Sequence, residues 1–193
     1  MEWFLRIWIP IAIAVTGMAA VSLGTVQQVY RQSLNDPQVQ IAEDMATALD
    51  NGANPTALIA SSTKIDIATS LRTYTVIYDK DLVPLAWNGE LNGEPPIPPR
   101  GVFEEAKGPS GTGLGENRVT WQPEEAVRSA IVVVHVLETD GFVLSGRNMR
   151  ETEDRIWQMQ VLIGAVWLLT LALTLIATWL GARVAAGKTG VIW

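Results

Sequence analysis

His135 is the only histidine of the chain, set in the run IVVVHVL, and it is the first candidate for proton or metal chemistry. An imidazole titrates near pH 6.5 and ligates transition metals, but a metal site needs several Cys, His, Asp or Glu side chains at ligand spacing. No such cluster accompanies His135, and with no cysteine there is no thiolate nucleophile, disulfide or haem attachment. No metal is expected. His135 reads as a packed or half-exposed strand residue sharing a face with Ile131, Val133 and Leu137, with ligand contact or a pH response as the alternative. Two glycine-bearing stretches could cradle phosphate. GTGLG at 111–115 has the composition of a nucleotide loop but falls between expected strands. GKT at 187–189 ends like a phosphate loop, yet Ala182 stands where the first glycine belongs and no strand precedes it. They read as a flexible loop and a tail. The carboxylates at 104–105, 124–125 and 151–154 look like solvated faces with no nucleophile or base beside them. No catalytic residue and no cofactor are expected.

A binding pocket is the stronger chemical candidate. Tyr74, Tyr78, Trp87 and Trp121 could line one side of a sheet, with Arg128 holding a ligand carboxylate bidentately and His135 nearby. The alternative is an aromatic core plus a surface arginine.

These residues must be positioned by a domain between two apolar runs. Residues 7–26 and 161–182 contain no charged side chain, and about 20 residues at roughly 1.5 Å rise match the roughly 30 Å hydrocarbon core. Both are expected to be transmembrane helices. A cleaved signal peptide ending near GMAAV is the alternative for the first, but its apolar stretch is long for that class. Residues 27–160 carry 11 basic and 19 acidic side chains, while Arg6, Arg183 and Lys188 face only Glu2 at the two ends. The acidic domain disfavours nucleic acid as a partner. The basic ends favour both termini inside and the domain outside.

Along the domain, a polar, alanine-studded helix follows the first span and stops at DNGANP. A short helix is expected within Ile65–Leu71. TYTVIYD and LVPLAW form a hairpin, and NGELNGEPPIPPRG is a surface loop because its prolines lack donors. Val102–Lys107 makes a helical turn. RVTWQ, AVRSAIVVVHVLE and FVLSG are three further strands. Asn148 with Glu151 forms a capping box for a helix running into the second span.

Within the first span, Ala12, Thr16, Ala20 and Gly24 recur every fourth residue, a small-residue stripe that permits close helix approach, against the second span or a foreign helix. Trp8 and Trp179 suit an interfacial belt. Trp167 lies deeper, where it could touch lipid, pigment or a neighbouring helix.

QSLNDPQVQIAEDMATAL, VIYDKDLVPLA, GVFEEAK, RVTWQPE and GFVLSGRNMRETEDR, in this order between two spans, resemble the extracytoplasmic PAS-like or Cache-type input regions of bacterial membrane histidine kinases. The resemblance implies a five-stranded antiparallel sheet flanked by helices. The kinases continue into a phospho-accepting helix and an ATP-binding domain, whereas only RVAAGKTGVIW follows Ala182. The expected fold is therefore α+β, with transmembrane helices flanking one PAS/Cache-like domain. Its segments are a first span (1–26), the domain (27–147), a helical stem and second span (148–183) and a tail (184–193). The expected function is an accessory, non-catalytic subunit of a larger bacterial membrane complex, respiratory or photosynthetic among the natural hosts. Its partners would be membrane lipid and other integral membrane proteins. The alternative is a free-standing sensory input that binds a small molecule and signals to a separate partner.

Overall fold

The computed structural model describes residues 2–33, 36–108 and 115–188. In chain order the elements are α1 (Glu2–Ser33), α2 (Asp36–Asp50), α3 (Pro55–Ile59), β1 (Ile65–Asp66), β2 (Tyr74–Tyr78), β3 (Pro84–Trp87) and β4 (Gly89–Glu90). There follow α4 (Arg100–Ala106), β5 (Glu116–Glu124), β6 (Val127–Val136), β7 (Gly141–Asn148) and α5 (Arg150–Lys188). The chain is α+β, a central antiparallel sheet between two long apolar helices, and it divides into two compact units. One unit is Arg31–Glu153; the other joins Met1–Tyr30 to Asp154–Trp193.

In the first unit the sheet runs β3-β2-β7-β6-β5, every neighbouring pair antiparallel. Strand side chains alternate between faces, and here both faces are covered. One face gathers Tyr74, Val76, Tyr78, Ile131, Val133, Phe142 and Leu144 under Phe103 and Ala106 of α4. The other gathers Ile77, Val132, Val134, Val136 and Val143 under Ala42, Ala46 and Leu49 of α2 and Ile59 of α3. Burial on both sides explains why IVVVHV reads as a continuous apolar run instead of a polar alternation. The alanines of α2 recur at helical spacing and let the helix lie close to the sheet.

Local chemistry fixes the connections. At the end of α2, Gly52 adopts φ 83 and its N–H bonds Leu49 O at 2.9 Å, a left-handed helix stop. Asn54 then caps α3, its side chain accepting from Thr56 N with Pro55 in the first turn. In the β2–β3 turn, Asp79 Oδ1 accepts from the N–H groups of Asp81 and Val83 at 2.9 and 2.8 Å. Asn148 Oδ1 accepts from Arg150 N at 2.8 Å, opening α5, while its amide donates to Ile67 O at 2.9 Å. Glu151 Oε2 accepts from Arg147 at 2.9 Å.

Two expectations need correction. The segment Ile65–Leu71 is not a helix: Ile65 and Asp66 pair in parallel with Gly89 and Glu90, and Asp66 then turns the chain by accepting from Ala68 N and Thr69 Oγ1. Nor is the proline-rich segment simply a surface loop. It contains β4 and a tight turn at Asn92 and Gly93 (φ 56 and 85), and Pro96 and Pro98 are buried. The Tyr78 hydroxyl donates to Pro96 O.

Tyr74 shows why two glycines are needed. Its ring lies so close to Gly89 and Gly146 that an added Cβ at either would sit 2.5 Å from a ring atom.

In the second unit, α1 and α5 are each long and apolar enough to cross a membrane, and neither candidate span is buried by the protein. Half-buried residues recur at three- and four-residue intervals, including Trp8, Ala12, Val15 and Ala19 on α1 and Gln160, Ile163, Trp167, Thr174 and Thr178 on α5. Trp167 Nε1 donates to Thr16 Oγ1 at 3.1 Å, and that hydroxyl in turn donates to Ala12 O at 2.7 Å. α5 remains helical to Lys188, so the GK of GKT continues the helix instead of forming a tail; Thr189 lies outside the described residues.

Candidate functional site

The aromatic residues do not form a ligand pocket with Arg128. Tyr74 and Tyr78 lie in the core, fully shielded, and burial pushes both phenols well above their ordinary titration range. Trp87 and Trp121 are half-buried against the same cluster. Arg128 sits at an even position of β6, the face opposite Ile131 and Val133, and its guanidinium bonds Glu153 at 2.8 Å. The carboxylate it holds is the protein's own. A one-residue step along a strand reverses the side-chain direction, and Arg128 falls on the wrong parity for the aromatic face.

Trp87 instead belongs to a different polar group. Its Nε1 donates to Glu90 at 3.3 Å, Lys64 pairs with the same carboxylate at 2.6 Å, and the ammonium stands 4.6 Å from the Trp87 ring centre. The Lys64 contact holds the Glu90 carboxyl below its usual range. Beside it lies a hollow of about 300 Å³ between α3 and β3, lined by Thr56, Ile59, Leu85 and Trp87 among others.

His135 does share the face of Ile131 and Val133, whereas Leu137 lies beyond the strand and is exposed. Its Nε2 lies 2.7 Å from Asp140 Oδ1, and its ring centre is 5.3 Å from that of Phe142. Lys107 Nζ reaches the same Asp140 oxygen at 2.6 Å. The Lys107 bond first, and the His135 bond second, hold the Asp140 carboxyl below its ordinary range. Among the described residues no three His, Cys, Asp or Glu side chains gather as metal ligands would. Of GTGLG, residues 111–114 lie outside the described residues; Gly115 O accepts from His135 N at 2.9 Å.

Next to this network the fold assembles a group of residues that no local motif announces. Lys80 and Leu82 from the β2–β3 turn, Arg100, Phe103, Glu104 and Lys107 from α4 and its cap, and Phe142 from β7 surround a hollow of about 170 Å³. Positions 100, 103, 104 and 107 fall at i, i+3, i+4 and i+7, so one helix face was readable. Nothing local joins that face to residues 80 and 142, which the sheet brings to it.

On the helix pair, the small-residue stripe does not act as a unit. Ala12 and Thr16 lie at or beside the seam with α5, while Ala20 and Gly24 are exposed, and a Cβ added to Gly24 would meet nothing within 4 Å. Trp167 touches the neighbouring helix of this chain, and with Val15, Met18, Ala19, Leu162 and Val166 it borders an apolar hollow of about 360 Å³. Trp8 lines a shallow groove with Ile9, Ala12 and Gly17, and the Arg183 guanidinium stacks 4.1 Å from the Trp179 ring centre. No family model matches the chain, and neither does any curated protein or solved structure.

Proposed function

We propose that the chain is a non-catalytic, two-span protein of a bacterial cytoplasmic membrane, with both ends inside and a PAS- or Cache-like domain on the outer face. It docks as an accessory subunit on a larger, energy-transducing membrane complex. The observation that carries this reading is the free face of α1. Gly17, Ala20 and Gly24 are exposed, and a Cβ added at either glycine would meet nothing within 4 Å, while α5 packs on a different stripe. Small residues in an apolar helix permit close backbone approach by a second helix, and the chain's own second helix leaves this face uncovered.

Mild-detergent purification with identification of the co-migrating proteins tests the docking. Gly24→Leu inserts a large side chain into the proposed contact, and overpacking of that kind costs about 1–3 kcal/mol, so the variant should be lost from the complex while Leu173→Ala is retained. Retention of Gly24→Leu, or recovery of a lone dimer, favours the free-standing sensory input instead. The orientation is tested by Glu125→Cys, which places a single thiol on an exposed turn of a cysteine-free chain. Labelling of intact cells by a membrane-impermeant maleimide is expected; labelling only after lysis reverses the topology.

A further inference from the structure

We propose that the hollow between the β2–β3 turn, α4 and the start of β7 binds a small organic anion, a carboxylate on a short apolar chain. The proposal is independent of what the helices dock on. At about 170 Å³ the hollow has room for about six groups of water size, at roughly 30 Å³ each. Its walls carry three cations, Lys80, Arg100 and Lys107, against Glu104 in the wall and Asp140 paired with Lys107, an excess of one positive charge, although the domain as a whole is acidic.

The three cations are differently prepared. Lys107 is fixed, its Nζ bonded to Asp140 at 2.6 Å and lying 5.3 Å from the Phe142 ring centre. Arg100 is loosely engaged: its Nε is 3.7 Å from Glu104, with both side chains about 70% exposed (72% and 69%), a geometry that contributes little and leaves the guanidinium fork for a carboxylate. Lys80 has no ion pair among the described residues. The apolar side of the hollow is the half-buried Leu82, closed from below by Phe103 and Phe142, which meet edge to face at 5.3 Å. Cations beside an apolar wall select a ligand with a charged end and an apolar end.

The backbone supports the same place. Only three non-glycine residues among those described adopt positive φ: Leu82 (66), Asn92 (56) and Asp140 (54). All three sit in turns, Leu82 between β2 and β3, Asn92 after β4 and Asp140 between β6 and β7, and for Asn and Asp that conformation is ordinary. Leu82 lines the hollow, and Asp140 anchors its lysine. A leucine in this region is rare, and such residues persist where the surroundings hold them, often at ligand sites. The hollows beside Trp87 and between the helices lack the combination. The one beside Trp87 has a single cation, already paired with Glu90, and the one between the helices has none.

The test uses the full chain in lipid nanodiscs, titrated calorimetrically with sodium butyrate, sodium acetate and inorganic phosphate. Butyrate is expected to saturate, exceeding acetate by about fourfold for each methylene it buries. Arg100→Gln and Lys80→Gln should each weaken butyrate about tenfold by removing a charged hydrogen-bond donor, with the melting temperature of the unliganded protein unchanged. Lys64→Gln, beside the other hollow, should bind like the parent, and so should Gly24→Leu, which separates this result from the fate of the docking reading. No saturable butyrate signal at millimolar concentrations overturns the proposal. So does unchanged affinity in both pocket variants, or acetate or phosphate binding as tightly as butyrate.

Discussion

Leu144 on β7 and Leu173 on α5 are the same side chain in two regions of one molecule: the first is 0% exposed and the second 57%. In the sheet domain, apolar groups are shielded by the chain itself on both sides of a five-stranded sheet. In the helix pair the protein shields few of them, and the most apolar window of each candidate span holds no buried residue. Burying apolar surface is favourable wherever water is the alternative. The helix pair must therefore find its apolar surroundings outside the chain, whereas the domain contains its own. Stability should then reside in the domain's packing, and association in the helices' surfaces.

The sharpest way to break this comparison is the matched truncation. Leu144→Ala should destabilise the domain by about 2–5 kcal/mol, the usual range for a leucine deleted from a filled core. Leu173→Ala should change its denaturant midpoint by less than about 0.5 kcal/mol. Equal losses would mean that the helices and the domain fold as one cooperative body. A matched pair of glycines comes next. Gly146→Ala drives a methyl to 2.5 Å from Tyr74 and 2.8 Å from Ile131, and should cost about 1–3 kcal/mol. Gly164→Ala meets nothing within 4 Å and should lose no stability, with a gain of up to about 1 kcal/mol from helix propensity. Thermal or chemical unfolding of the purified chain measures both.

A smaller effect tests the hydrogen bond from Trp167 to Thr16 between the helices. A double-mutant cycle on Thr16→Val and Trp167→Phe should give a coupling of about 0.6 kcal/mol, the usual size for a hydrogen bond between membrane helices. A coupling indistinguishable from zero would mean that the 3.1 Å bond contributes nothing. The smallest expected effect is a pH dependence. Because Lys107 and His135 lower the Asp140 pKa in the folded state, the ionised carboxylate stabilises the fold at any pH above its unfolded value near 3.9. That contribution is lost as the pH falls below this value and through the folded pKa. Asp140→Asn should therefore flatten the acid limb of the stability curve below about pH 4 and leave its shape above pH 5 unaltered. Urea midpoints at several pH values would reveal any steeper limb in the variant, the opposite outcome.

Periodicity makes the large elements legible in the sequence. The β-branched run of β6, the two turns TDG and KD, and the charge-free stretches of α1 and α5 all stand where the sequence pattern puts them. The misread elements have one cause, interactions between distant residues. Ile65 and Asp66 become a strand only because Gly89 and Glu90 lie alongside them. Arg128 required strand parity, which a propensity reading does not fix, and its partner Glu153 is 25 positions away. The cationic hollow has half of its wall on one readable helix face and the rest on segments that only the sheet's order brings near. Tyr74 and Tyr78, expected to line a ligand pocket, are fully buried packing residues, and alternation alone does not tell a covered sheet face from an open one.

The Tyr78 bond to Pro96 O has a practical consequence. Proteases bind their substrates as extended strands and need several residues on each side of the scissile bond to leave the parent surface. Here the stretch richest in proline is held down at its midpoint by a buried phenol, with Pro96 and Pro98 themselves shielded. A segment whose composition suggests an easily nicked linker should instead survive brief digestion, and cleavage should begin elsewhere in the chain. Tyr78→Phe would remove the tether while keeping the ring, so new fragments ending near residue 96 would be the signature of its release.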